Sequence, residues 1–328
     1  MRADFADYLR QWLGFSETRV TAKTFECYRE IVEKQIIPTL GHIKLHKLHL
    51  TQIQETYSLW LRQGRRNGKG GLSAQTIVHH HRLLHKAMGQ AVKWQLIARN
   101  VMDAVEPPTV EKREMRALDE SEVAALLEAA NGSRLSAPVY VAAVTGMRRG
   151  ELVGLKWADV DFDSGQLAVR RSVEQTRGGV RCKTPKSRKA RTIQLSTHAF
   201  DVLKKHRTAQ GRVKLAMGPA YEAHDLVFPR EDGSIWEPEL FGKAFAALVK
   251  RAGLGHLRLH DLRHSCASIL LKAGVNAKVV SERLGHSTIA ITLDLYSHIL
   301  PGLQHEASSK IESSIEDAIR SRRRRAGG

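Results

Sequence analysis

Two adjacent prolines, Pro107 and Pro108, constrain this chain more than any other feature. A proline has no amide hydrogen to give and pushes the residue before it out of the helical region, so no helix runs through the pair. Before the prolines the pattern is helical. Phe5, Tyr8, Leu9, Trp12 and Leu13 recur at the three-to-four spacing that places apolar groups on one face. The period continues over 24–37, with Tyr28, Ile31 and Val32 on one side, and Pro38 is expected to end that helix. Further helices are expected over 50–61 and 73–95, the second capped by Ser73. Beyond the prolines, Asp119 and Glu122 have the spacing of a capping box. The period then changes. Residues 166–173 alternate as one strand does, Arg177-Gly178-Gly179 turns the chain, and 191–195 reads as another short strand. From Thr197 the pattern is helical again, with a looped interval over 218–236, and the tail spaces Ile311, Ile315 and Ile319 four apart. The expected fold is mainly α with a small antiparallel β-sheet in its second half. The expected boundaries are a helical domain over 1–108, a linker over 109–117, a mixed domain over 118–300 and an amphipathic tail over 301–328.

At 328 residues the chain is long enough for two cores. It carries 52 Lys and Arg against 34 Asp and Glu, a net charge of +18, which points to a polyanionic partner. Cys27, Cys182 and Cys266 are far apart and form no CxxC pair, so neither a disulfide framework nor a zinc ribbon is indicated, and a reducing compartment is expected. The first residues lack the apolar stretch of a signal peptide, and no apolar run is long enough to span a bilayer. The basic loop from Gln63 to Gly71 is not a phosphate-binding loop, because Gly70 stands where Ser or Thr must meet magnesium. His81 and His85 are four apart, but no third metal ligand is near them, so the histidines over 79–85 read as polar surface. No cofactor or metal is expected.

Four short segments carry chemistry: Thr145-Gly146-Met147-Arg148-Arg149-Gly150-Glu151, His260-Asp261-Leu262-Arg263-His264, Leu284-Gly285-His286, and Tyr296 ten residues later. A phenol with two arginines and two histidines suits attack on a phosphodiester. Negative charge gathers on the non-bridging oxygens as phosphorus becomes pentavalent, and fixed donors must meet it. Arginine fits because its planar fork gives two parallel hydrogen bonds and stays charged. Arg148 and Arg263 are the candidates, with His260 and His286 as further donors. The phenol, with a reference pKa of about 10, must lose its proton on attack, and the departing sugar oxygen must gain one. Lys186, between the strands, can supply it, with Lys183 and Lys189 as near neighbours.

The order and spacing of these segments, from about Leu118 to Leu300, strongly resemble the tyrosine recombinase (phage integrase) family. The helical first part resembles that family's core-binding domain more loosely. The resemblance implies that Arg148 is the first catalytic arginine and Glu151 the acid that supports it. It makes Lys186 the hairpin lysine, His260 and Arg263 the His-x-x-Arg pair, His286 the next histidine and Tyr296 the nucleophile. It implies a core-binding domain and a catalytic domain that clamp double-stranded DNA, a 3′-phosphotyrosyl intermediate, and no nucleotide cofactor. A DNA-bound homotetramer, DNA-bending accessory proteins, and integration or excision of a phage or mobile element in a bacterial cytoplasm and nucleoid follow from the same likeness. An additional N-terminal arm-binding domain is expected to be absent from this chain.

Blander readings compete. Tyr296 alone reads as a half-buried aromatic with a wet hydroxyl. Arg148 and Glu151, three apart, read alone as a helix-surface ion pair. The isoleucine stripe suits docking at home or on a neighbouring protomer, and Arg322–Arg325 a solvated end. A type IB topoisomerase shares the tyrosine chemistry, and a catalytically silent DNA-binding regulator would share the charge. A metal-dependent hydrolase built on His260-Asp261 lacks the further ligands it needs.

Overall fold

The computed structural model describes residues 4–65, 67–111, 116–183, 190–296 and 303–326. The chain divides into two compact units, Met1–Glu114 with Thr176–Gly179, and Met115–Gln175 with Val180–Gly328.

The first unit is helical: α1 (Phe5–Glu17), α2 (Ala22–Ile31), α3 (Ile37–Leu40), α4 (Leu50–Gln63) and α5 (Ala74–Lys93). The apolar spacing read in the sequence becomes its core. Phe5, Leu9 and Trp12 of α1 pack with Ile53 and Trp60 of α4 and with Leu84, Ala87 and Met88 of α5. Each of the larger aliphatic and phenylalanine side chains among them contributes about 1.5–3 kcal/mol when fully buried. Tyr8 is buried with them, and its hydroxyl donates to the Ala87 carbonyl. Ser73 caps α5 by accepting from the Thr76 N–H. Pro38 does not end the second helix. The chain passes from α2 through a wide turn over Val32–Ile36, where the Ile37 N–H reaches back five residues to the Val32 carbonyl, and continues as α3. The widened turn loosens the helix just before a ring that would press on the carbonyl four positions back.

The second unit begins with α6 (Glu120–Ala130), α7 (Ser136–Thr145) and α8 (Arg149–Val153). Asp119 and Glu122 form the expected capping box, each side chain accepting from the other's N–H. Five short strands follow: β1 (Val160–Asp161), β2 (Gln166–Val169), β3 (Ser172–Thr176), β4 (Gly179–Lys183) and β5 (Arg191–Gln194). β1, β2 and β5 make an antiparallel sheet with Leu167 opposite Val160 on one side and Ile193 on the other. β3 and β4 pair separately. The single strand read over 166–173 is therefore two strands. Arg170 and Arg171 break it, both turned toward the buried Asp159. An ion pair on a buried carboxylate outweighs the local preference for extended chain.

The unit closes with α9 (Thr197–Met217), α10 (Pro238–Arg251), α11 (Leu259–Lys272), α12 (Ala277–Leu284), α13 (Ile289–Tyr296) and α14 (Leu303–Ala326). Leu167, Val169 and Ile193 of the sheet join Val139 and Val141 of α7, Phe241 and Phe245 of α10, and Leu259 and Leu262 of α11 in one core. Val280 and Leu284 of α12 pack on Ala267 and Leu271 of α11 as a smaller cluster. On α14, Ile311, Ile315 and Ile319 are exposed. Among the described residues no helix is long and apolar enough to cross a membrane.

Candidate active site

The site starts at the end of α7. Gly146 takes the left-handed conformation, φ +64, which an L side chain adopts only at a cost. A Cβ here would also fall well inside contact distance of Leu284 Cδ2. The turn aims the Gly146 carbonyl at α11, where Arg263 Nη1 donates to it at 2.8 Å. Two residues on, Arg148 precedes α8. Glu151 returns one carboxylate oxygen to the Arg148 N–H at 2.9 Å and accepts from Arg148 Nη1 at 2.9 Å. This is half of a capping box, since arginine has nothing to accept with. The other terminal nitrogen, Nη2, donates to the Gly285 carbonyl at 2.8 Å.

Glu151 is 1% exposed, so its charge needs partners. The second partner is Arg191 on β5, whose terminal nitrogens donate to the two carboxylate oxygens at 3.1 and 2.7 Å. Burial alone would raise the Glu151 carboxyl. The hydrogen bond and charge of Arg191, then those of Arg148, outweigh it and hold the group below the usual carboxylate range. Arg191 Nε donates to the Arg283 carbonyl at 2.8 Å, tying the strand to the end of α12.

α11 opens in the same manner as α8. Asp261 accepts from the Arg258 N–H at 2.7 Å and pairs with the Arg258 guanidinium. One turn of α11 then presents His260 and Arg263 three residues apart. Arg263 is buried; His260 has an open side and stands edge-on to the His264 ring at 4.9 Å. At the end of α12, Gly285 is left-handed, φ +69, and hands the chain to His286. His286 Nδ1 lies 2.7 Å from the hydroxyl of Thr292, a fully buried residue of α13. The His286 pKa is brought down to about 4, by loss of surrounding water first, then by repulsion from Arg263, Arg148, His264 and His260. His260 is also brought down to about 4, by loss of water first, then by His264 and Arg263. Both rings are neutral near pH 7, and each offers one N–H.

Of the residues singled out in the sequence, Arg148, Glu151, His260, Arg263 and His286 are thus gathered on one cluster. Tyr296 is the last residue of α13, four residues beyond Thr292, or about one helical turn. Lys186 lies outside the described residues. Its neighbour Lys183 closes β4 in an ion pair with Glu174. Sequence reading missed Arg191, Arg283 and Thr292. Arg191 meets Glu151 forty positions back and the Arg283 carbonyl ninety-two positions on, and Thr292 meets His286 across the turn between α12 and α13, contacts for which local spacing holds no signal. Among the described residues no group of three His, Cys, Asp or Glu could hold a metal ion. His81 bonds the Tyr57 hydroxyl at 3.1 Å and His85 pairs with Asp103 at 2.9 Å.

Comparison with known proteins places the whole. Residues 116–302 match the model of the phage integrase family, and residues 4–61 match that of the phage integrase N-terminal SAM-like domain. A tyrosine recombinase XerC-like protein of Caldanaerobacter subterraneus subsp. tengcongensis is 32% identical over 318 residues, covering 90% of this chain and 79% of that one. An integrase of Streptomyces ambofaciens is 32% identical over 313 residues, covering 91% and 77%. In fold, the chain is similar to the Tn1549 transposon integrase in complex with a circular intermediate DNA, with a TM-score of 0.79 at 19% identity over 95% of this chain and 99% of that one. It is also similar to a lambda integrase bound to a core site, with a TM-score of 0.66 at 19% identity over 89% and 77%. The class is that of the tyrosine-type site-specific DNA recombinases, enzymes of integration and recombination. This chain belongs to the phage integrase family.

Proposed function

We propose that Tyr296 attacks a phosphodiester of double-stranded DNA, forms a 3′-phosphotyrosyl bond and frees a 5′-hydroxyl, and that a 5′-hydroxyl from a partner strand reverses the step. The observation that carries this reading is the cluster itself. Arg148, Arg263, His260 and His286 lie within one electrostatic neighbourhood, and Thr292, a turn before Tyr296, bonds His286. The helix that bears the phenol is therefore pinned to the group of cationic and N–H donors. The two arginines meet the charge that develops on the non-bridging oxygens, and loss of one such donor costs about 10²- to 10³-fold. With the Thr292 hydroxyl donating to Nδ1, the neutral His286 ring carries its hydrogen on Nε2, free to face a phosphate. Glu151 holds Arg148 in place. Lys186 returns a proton to the leaving 5′-oxygen; Lys183 is held by Glu174, which supports the choice of its neighbour. The phosphate bond energy is kept in the protein–DNA link, so no nucleotide is consumed.

On this reading the part over 1–108 is the core-binding domain, 109–117 the linker, 118–300 the catalytic domain, and 301–328 a tail that docks between protomers. Exchange of four strands calls for a homotetramer on DNA. A lambda integrase tetramer bound to a Holliday junction is a structural neighbour at 20% identity, which supports this reading. DNA-bending accessory proteins, a mobile-element role and a place on the bacterial nucleoid complete the proposal; the ICEBs1 integrase of Bacillus subtilis is a relative at 26% identity.

The test is covalent trapping. The wild-type chain incubated with a nicked duplex should leave a protease-sensitive retarded band. Tyr296→Phe should leave none while binding the duplex with nearly unchanged affinity, and a persisting adduct would remove Tyr296 from the role. For Lys186→Ala, cleavage should slow by about 10²- to 10⁴-fold and recover when the bridging 5′-oxygen is sulfur, whose thiolate leaves without a proton. Rescue of Lys183→Ala or Lys189→Ala instead would transfer the acid to that lysine.

A further inference from the structure

Arg191 is a largely buried cation that the catalytic set above does not use. Its side chain is 9% exposed, against 24% for Arg148, so of the two arginines on Glu151 only Arg148 has appreciable surface to offer a phosphate. Both terminal nitrogens of Arg191 go to the Glu151 carboxylate, and its Nε goes to the Arg283 carbonyl. Arg148 gives one terminal nitrogen to Glu151 and the other to Gly285.

Charge explains the division. An Arg148–Glu151 pair alone sums to zero, and a guanidinium whose charge is cancelled at 2.9 Å draws a phosphate weakly. With Arg191 the group of two guanidiniums and one carboxylate keeps a net charge of +1. The carboxylate can then orient Arg148 without neutralising it. Position adds to this. Arg191 lies five residues after Lys186 in the chain, at the start of β5, and a Cβ on Gly285 would stand 2.9 Å from its Nη1. It therefore joins β5, α8 and the turn that delivers His286.

We propose that Arg191 is a positioning residue of the cleavage reaction: it absorbs the charge of Glu151, so that Arg148 keeps a net positive charge for the scissile phosphate. This rests on the reading of Arg148 as a phosphate-binding residue, and the experiment separates the two. Single-turnover cleavage of a nicked suicide duplex is measured with the full chain at saturating DNA. Arg191→Met keeps the length and removes the charge, and should slow cleavage by about 10- to 100-fold with less than threefold loss of duplex affinity. Arg191→Met combined with Glu151→Gln removes the uncompensated carboxylate as well, and should be at least fivefold faster than Arg191→Met. A merely structural arginine would not be rescued by loss of a second hydrogen-bonding charge. If Arg191→Met does not fold, as judged by circular dichroism, Arg191→Gln carries the same comparison. Arg148→Ala runs beside them. If Arg148→Ala cleaves within threefold of wild type, the reading of the site fails. If Arg148→Ala is inactive but Arg191→Met cleaves within threefold of wild type, or the double variant gains less than fivefold, only the assignment of Arg191 is overturned.

Discussion

A methyl group at Gly146 tests how the site is built. Gly146→Ala meets two costs. An L residue in the left-handed region costs about 1–2 kcal/mol. The new Cβ also collides with Leu284 Cδ2 and comes 3.5 Å from Cys266 Sγ. Leu284 is fully buried against Ala267, Leu271 and Val280, so it has no room to swing away. Overpacking of this kind costs about 1–3 kcal/mol. The sum is about 2–5 kcal/mol. Gly132 provides the comparison. It too is left-handed, φ +70, but no atom lies within 4 Å of its added Cβ, so Gly132→Ala should cost only the first about 1–2 kcal/mol. Amide hydrogen exchange in α7 and α11 reads the stability of the second unit without that of the first. At about 1.4 kcal/mol per factor of ten, protection should fall by about 30-fold or more in Gly146→Ala and by about 5- to 30-fold in Gly132→Ala. Cleavage per folded molecule should fall about tenfold in Gly146→Ala, because the carbonyl that holds Arg263 is displaced, and should be unchanged in Gly132→Ala. Equal costs at the two glycines would refute the packing of Leu284 on this turn and the reasoning with it.

Further outcomes are expected elsewhere. His260 and His286 take up protons near pH 4 in the folded chain and near 6.5 when unfolded, so the unfolded state binds more protons between these values and stability falls as pH drops from about 6.5 to 4. The melting temperature measured over that window should fall less steeply in His286→Asn; parallel curves would count against the lowered pKa. Thr292→Val leaves His286 Nδ1 without its hydroxyl, and cleavage should slow about tenfold at unchanged duplex affinity, with Thr292→Ser restoring it. Equal rates in all three would show that the ring is oriented by other groups. Replacing Ile311, Ile315 and Ile319 together with Ser should spare single-site binding and impair synapsis and recombination, whereas loss of the folded monomer would show that the stripe packs at home.

What was legible in the sequence was what is local. The apolar spacing of Phe5, Leu9 and Trp12 is a property of one helix, and it reappears as buried side chains. Asp119 and Glu122 need only each other, and they form their box. The five residues gathered in one cluster stand in segments that keep fixed spacings within short stretches, and that local pattern is what singled them out. The misreadings are those in which a distant group decides. Arg170 and Arg171 alternate like strand residues, yet the carboxylate of Asp159, eleven and twelve positions earlier, ends the strand. Pro38 reads as a stop because the pattern does not foretell a wide turn ahead of it. Arg191 reads only as the first residue of a short strand, and the fold reveals the buried carboxylate it meets forty positions back.

The two glycines of the site explain why such motifs have the form they do. Gly146 stands two residues before Arg148 but its carbonyl binds Arg263; Gly285 stands one residue before His286 but its carbonyl binds Arg148. Each left-handed turn thus places one donor and, through its carbonyl, orients a donor from another segment. Each turn is also closed to any side chain, Gly146 by Leu284 and Gly285 by Arg191. Leu284 and Gly285 are neighbours, so the residue that blocks the first turn sits beside the second. A glycine just ahead of a site residue in both motifs is therefore the trace, in one dimension, of two turns that lock each other. On the proposed mechanism, arginines held by carbonyls in this way are oriented before DNA arrives, and little of the binding energy need go to arranging them when the phosphate becomes pentavalent.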